Sequence, residues 1–274
     1  MNFIEAIFLG ILQGLTEFLP VSSSGQLVIF EHLLAINKNI NDTVMKSFDV
    51  VLHAGTLLAL LIIFKKEIIN IFKFLIAFIS GKKYQQNDKS LCINLIIGTI
   101  PGAFLGFWGA DFLDQNFRKL IFVGLFLIIT GILFLFTEYF FKNFKKQKTK
   151  IMSKNAFLIG IFQALAIVPG FSRSGFSICG ALLQGIDKQI AIHFSFMLAI
   201  PIILGASLLS VIDIFKENFF NFLPLKIFLA GFIASFIISF LVAKLLLKFF
   251  RSIPLYFFSL FLFLEGLLIF YWEI

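Results

Sequence analysis

The sequence predicts an all-α polytopic membrane protein, an inverted-topology repeat in which each half is one re-entrant helix hairpin plus three transmembrane helices. Three observations predict it. Of 274 residues, 59% are hydrophobic and only 14% are charged, against roughly 25% charged in an ordinary soluble domain, and mean hydropathy is +1.00. Six uninterrupted apolar stretches have the length of a bilayer crossing. Two more are too long for one crossing, are broken by Pro, Gly and Ser, and match each other in sequence. So much apolar surface cannot be hidden behind so few charges in water, so most of this chain is solvated by lipid. One membrane domain, 1–274, is expected, with repeats of about 1–140 and 151–274.

The first broken stretch, residues 3–35, begins apolar and then carries Gln13, Glu17, Pro20 and Ser22-Ser23-Ser24-Gly25. Broken backbone survives at membrane depth only where protein or a wet cavity supplies hydrogen-bond partners, so this is a re-entrant helix–loop–helix hairpin. No cleavable signal peptide is expected here, because the first dozen residues carry Glu5 and no Lys or Arg. Spans follow at 48–64, 91–109 and 120–138, each near the ~20 residues that cross ~30 Å of hydrocarbon. The second broken stretch, 156–186, carries Gln163, Pro169-Gly170 and Ser172-Arg173-Ser174-Gly175; spans follow at 191–212, 227–246 and 254–272.

At an offset of 150 positions, Gly10 matches Gly160, Gln13 matches Gln163, Ser22 matches Ser172, Ser24 matches Ser174 and Gly25 matches Gly175. Each hairpin precedes an odd number of spans, so the second copy inserts upside down. Paired broken segments in such a repeat point to a binding site near the midplane. Charge agrees with this topology. With re-entrant hairpins, 16 cations (Lys65 to Lys154 in two loops, then Lys188, Lys244, Lys248 and Arg251) share one side and 6 lie on the other. If each broken stretch crossed the membrane, the split would be 14 to 8, so the re-entrant topology has the sharper bias. The cation-rich side is cytoplasmic and both termini lie outside. The net charge of +8 is thus a topology signal, and nucleic acid is not an expected partner. Cys92 and Cys179 lie inside apolar runs without metal-site spacing and read as small buried hydrophobes.

Arg173 is the one Lys or Arg away from a loop or helix end. An intramembrane cation costs at least ~2.5–3.5 kcal/mol on insertion scales, so it is functional or paired. It follows a Gly- and Ser-rich break that opens a helix. Free N–H groups there, with a guanidinium fork, make a site for a tetrahedral oxyanion. Alternatively, Arg173 is a structural partner of Glu17. Glu17 itself suits a general base, a ligand for a divalent cation bridging phosphate, or a neutralised carboxylate. Ser22, Ser23 and Ser24 include at least one helix cap, and a serine beside a carboxylate and an arginine can attack phosphorus. Asp49 and His53, four apart on one helix face, form a possible accessory pair in which the carboxylate orients the imidazole. Glu265, within the last span, is expected to pair across helices and is given no role.

The stretches Gln13-Gly-Leu-Thr-Glu17-Phe-Leu-Pro20-Val-Ser-Ser-Ser24-Gly25 and Pro169-Gly-Phe-Ser172-Arg173-Ser174-Gly175 resemble the paired motifs of the undecaprenyl-diphosphatase family, the bacitracin-resistance type of integral membrane phosphatase. The resemblance covers essentially the whole chain. It implies removal of the terminal phosphate of undecaprenyl diphosphate, with Mg²⁺ or Ca²⁺ as cofactor, at an outward-facing site in a bacterial inner membrane. The product is the carrier lipid of peptidoglycan synthesis. Carried over by position, the resemblance makes Glu17, Ser23 and Arg173 catalytic, with Glu17 the metal ligand. Gln13, Ser22, Ser24, Gly25, Gln26, Ser172, Ser174 and Gly175 then contact substrate. Two positions depart from the pattern. Gln13 stands where many members have Glu, and Gln26 stands where well-studied members have a His, which removes a proton-transfer group. The rival expectation is a flippase of undecaprenyl phosphate, since inverted repeats with broken helices are also a transporter plan.

Overall fold

The computed structural model describes residues 1–36, 42–144, 146–216 and 224–273, and among these residues every extended element is a helix. Lys38 and Lys145, counted above for topology, lie outside the described residues, as do the side chains of Lys216 and Arg251.

The first hairpin is α1 (Phe3–Thr16) and α2 (Ser23–Leu33). Helix α1 starts on a capping box: Glu5 N–H donates to Asn2 Oδ1 at 2.9 Å and Asn2 N–H donates to the Glu5 carboxylate at 2.7 Å. It stops at Glu17 because Pro20, three residues on, cannot continue the ladder. The second hairpin is α7 (Ser153–Leu165) and α8 (Arg173–Leu182), broken at the equivalent place.

Helices α3 (Asp42–Ile63), α5 (Gln86–Phe117), α6 (Leu120–Phe141), α9 (Lys188–Lys216), α10 (Leu225–Phe249) and α11 (Leu255–Glu273) contain the segments long and apolar enough to cross a membrane. These match the six expected spans, with longer ends. The chain is a multi-pass membrane protein by this measure. The connection 65–90 departs from expectation: it holds a further helix, α4 (Lys65–Ile79). Ile69, Phe72, Leu75, Ile76 and Ile79 are exposed along it, among Lys65, Lys66 and Lys73. That pattern is an amphipathic interfacial helix. A search for uncharged runs of crossing length passes over it, because its lysines interrupt the hydropathy.

The halves interlock. Helix α1 packs along α10, and its counterpart α7 packs along α5; α6 packs on α11 and α3 on α9. Both hairpin contacts use glycine. A Cβ on Gly10 would stand 2.5 Å from Gly231 O, and one on Gly160 would collide with Gly98 O. Between spanning helices, close backbone approach supplies the dispersion contact that hydrophobicity cannot supply in lipid. These crossings set where each hairpin, and therefore its break, lies along the neighbouring helix.

Candidate active site

Each break is built by a serine cap. Ser22 Oγ accepts from Gly25 N–H at 3.2 Å, and Ser172 Oγ accepts from Gly175 N–H at 3.1 Å. Ser22 adopts φ 64°, left-handed backbone that a non-glycine residue rarely occupies, and Gly170 opposite has φ 98°. The two tips are bonded to each other. Ser22 Oγ donates to Phe171 O at 3.2 Å, and Ser174 Oγ donates to Leu19 O at 3.1 Å. A Cβ on Gly25 would lie 3.2 Å from Gly170 Cα and 3.3 Å from Val123 of α6, so the tips also rest on that span.

The tertiary fold places Glu17 and Arg173, 156 residues apart in the chain, in direct contact. Glu17 Oε1 takes a guanidinium N–H of Arg173. Glu17 Oε2 accepts from Gln13 Nε2 at 2.6 Å and from Ser23 Oγ at 2.7 Å, and His53 Nε2 stands 3.5 Å from it. The Glu17 side chain is 1% exposed and that of Arg173 18%, so the carboxylate is sealed in while the arginine side chain remains partly accessible. Arg173 uses one terminal nitrogen on Glu17, and no other carboxylate among the described residues pairs with it. Apart from the capped Gly25 and Gly175, the first-turn N–H groups of α2 and α8 lack intrahelical acceptors, so they add donors and positive dipole ends.

The expected site residues divide by what their side chains touch. Ser23 and Gln13 bond to Glu17 directly. The hydroxyls of Ser22, Ser172 and Ser174 are engaged in caps and tip bonds, Ser172 Oγ lying 3.3 Å from Ser174 Oγ. Gly25 and Gly175 are the capped residues; a Cβ on Gly175 would collide with the Phe134 ring, and one on Gly25 would be tight against its neighbours. Ser24 is half-buried beside them. Gln26 does not bond to Glu17 or Arg173: its Nε2 donates to Val21 O at 3.3 Å and to Glu265 Oε2 at 2.6 Å.

The expected Asp49–His53 pair requires correction. His53 Nδ1 bonds the main-chain oxygen of Asp49 at 2.7 Å, not the carboxylate. The Asp49 carboxylate accepts from Arg118 NH2 at 2.9 Å, and that same nitrogen lies 3.1 Å from Glu31 Oε2. One-face spacing allowed the pair, but a guanidinium arriving from the α5–α6 connection takes the carboxylate in place of the imidazole. His53 is thereby oriented by its own helix and faces Glu17. Sequence reasoning missed the Glu31–Arg118–Asp49 cluster. Its only signal was Glu31 inside an apolar run, and nothing in the spacing connects three separate elements.

A hard cation needs oxygen ligands. Gln13 Oε1 is buried beside Glu17 with no hydrogen-bond partner, an oxygen available for such an ion. Among the described residues no three His, Cys, Asp or Glu side chains group to form a metal cage. One carboxylate and one amide oxygen fit a cation held chiefly by substrate phosphates, as Mg²⁺ commonly is.

Comparisons with known proteins identify the family. The family described as Bacitracin resistance protein BacA matches residues 6–268. The chain is 39% identical over 250 residues to the undecaprenyl-diphosphatase of Methanococcus vannielii, covering 90% of this chain and 94% of that one. It is 35% identical over 266 residues to the undecaprenyl-diphosphatase of Alkaliphilus metalliredigens, covering 94% of each. Against the undecaprenyl-diphosphatase of Halothermothrix orenii it is 39% identical over 213 residues, 78% of this chain and 76% of the relative. With two hairpin tips presenting their motif residues to one another, and a match running nearly end to end, this chain belongs to the bacitracin resistance protein BacA family.

Proposed function

We propose that this chain hydrolyses undecaprenyl diphosphate to undecaprenyl phosphate and inorganic phosphate, returning carrier lipid to cell-wall assembly. The observation that carries the reading is the apposition of Glu17, Arg173 and Ser23 between the two hairpin tips. The hydrolase name borne by its relatives supports hydrolysis over translocation of the monophosphate. The membrane is the bacterial inner membrane, the halves are oppositely oriented in it, and the termini and site mouth face outward. The cation count supports that orientation.

Arg173 and the free first-turn N–H groups hold the terminal phosphate, where fixed donors stabilise charge as it shifts. The Ser23 hydroxyl proton already points at Glu17 Oε2, 2.7 Å away, so nucleophile and base are paired. Ser23 Oγ attacks the terminal phosphorus in line. The bond from phosphorus to the bridging oxygen breaks, undecaprenyl phosphate leaves with the electron pair, and Glu17 takes the serine proton. Water then cleaves the phosphoserine and regenerates the hydroxyl. In the second route, Glu17 takes its proton from water, which attacks directly. A divalent cation, when bound, neutralises diphosphate charge, and Glu17 and Gln13 Oε1 are the residues that would hold it. The isoprenoid tail lies along apolar surface, whose burial adds affinity without orientation.

The test is phosphate release from undecaprenyl diphosphate by purified protein supplied with Mg²⁺ or Ca²⁺. Release is expected; its absence in folded protein refutes the reading. Release lost in Arg173→Ala but kept in Ser23→Ala would assign the attack to water.

A further inference from the structure

We propose that Glu265 of α11 is a positioning residue of this hydrolytic site, acting through Gln26 on the turn that presents Ser23. The inference rests on the hydrolase reading and adds to it a residue from the last spanning helix.

Glu265 sits near the middle of α11, among Leu and Phe, and no ion pair involving it occurs among the described residues. A carboxyl group inside a span is costly and is kept where it has a task and a partner. Its partner is Gln26: Glu265 Oε2 accepts from Gln26 Nε2 at 2.6 Å. The same nitrogen donates to Val21 O at 3.3 Å, and Gln26 is 3% exposed. Val21 immediately precedes Ser22, with its left-handed φ, and Ser23, whose hydroxyl lies on Glu17. One amide thus ties the carbonyl at the helix break to a carboxyl group on another span.

A second observation fixes the anchor's depth. Gly266, next to Glu265, crosses α6 so closely that a Cβ there would stand 2.7 Å from Gly124 O. The neighbouring Val123 is the α6 residue on which Gly25 and Gly170 of the two tips rest. The α6–α11 crossing therefore registers Glu265 against both tips. Without the carboxyl acceptor, the Gln26 amide is free to rotate off Val21 O. The Ser22 turn, unfavourable for a serine, then relaxes and carries Ser23 Oγ out of line.

The test uses full-length protein in nanodiscs, with steady-state phosphate release and amide exchange by mass spectrometry. Glu265→Leu removes the acceptor without placing an unpaired polar group in the span, and Glu265→Gln keeps an acceptor oxygen in the same shape. Glu265→Leu is expected to lower kcat about 10- to 100-fold, the scale of a misplaced reacting group, with KM changed less than about threefold. Glu265→Gln is expected to recover kcat to within about threefold of the parent. Gln26→Leu combined with Glu265→Leu is expected to be no slower than the slower single variant, because both break one chain of contacts. Exchange across residues 22–26 should rise in Glu265→Leu and not in Glu265→Gln. Unchanged kcat and exchange in Glu265→Leu would overturn the proposal, as would effects that multiply in the double variant. A Glu265→Gln as slow as Glu265→Leu would also overturn it, since the carboxyl group would then be needed for its proton. A parent that releases no phosphate, with the exchange difference present, would overturn the hydrolase reading instead.

Discussion

Replacing Arg173 with lysine keeps the positive charge and removes the planar fork. In the structure one terminal nitrogen of Arg173 is held by Glu17, and the side chain stays 18% exposed, which leaves other donors for a phosphate. A lysine ammonium can satisfy Glu17 or the phosphate, but cannot grip both with fixed geometry. The loss is about one hydrogen bond to a charged group, at roughly 1.5–3 kcal/mol. At 1.36 kcal/mol per tenfold, kcat/KM should fall about 10- to 150-fold. Arg173→Ala should be worse, because Glu17 is then buried without its cation, a loss of roughly 3–5 kcal/mol when one partner of a buried pair is removed. The assay is phosphate release from undecaprenyl diphosphate across substrate concentrations, with thermal unfolding in detergent to separate activity from folding. If folded Arg173→Lys kept kcat/KM within threefold of the parent, the argument that the fork bridges Glu17 and phosphate would be refuted.

Other outcomes follow from the same geometry. Glu17→Gln removes the base while keeping the shape, and kcat should drop at least about 100-fold with folding retained, checked by single-turnover phosphate release. His53→Ala should lower kcat, whereas Asp49→Asn should leave the His53 contribution intact, because His53 bonds the Asp49 main chain; the two variants compared at saturating substrate test this. Arg118→Ala strands two buried carboxyl groups and should cost about 3–5 kcal/mol of stability, read as a lowered Tm and reduced yield. Gly160→Ala forces a methyl group against Gly98 O and should destabilise by about 1–3 kcal/mol, measured by thermal unfolding of the purified variant.

Much of the fold was legible because lipid imposes a blunt rule. A span must be long, apolar and internally hydrogen-bonded, so its length and its interruptions show directly in the residues. The six spans and both breaks appear this way, and the matched serines and glycines mark the two breaks as equivalent. Helix α4 escaped because an interfacial helix obeys a different rule, one apolar face with lysines beside it. At the site, Glu17 and Arg173 stood out as charges where charge is expensive. The identity of their neighbours did not. Helical spacing made Asp49 a plausible partner for His53, yet spacing cannot report that Arg118 approaches the same carboxylate from another element. Likewise Gln26 read as a substrate contact, while its amide turns toward a carboxyl group more than two hundred residues away.

The amino-acid sequence by itself determined which segments enter the membrane, where two of them must break, and which charged residues are left there needing partners. These follow from local terms: hydropathy, backbone hydrogen bonding, proline's missing donor and the cost of an isolated charge in hydrocarbon. Only the tertiary structure decided which partner each charge takes. That choice depends on how close two helices approach and at what depth, and glycine crossings such as Gly10 on Gly231 and Gly124 on Gly266 set both.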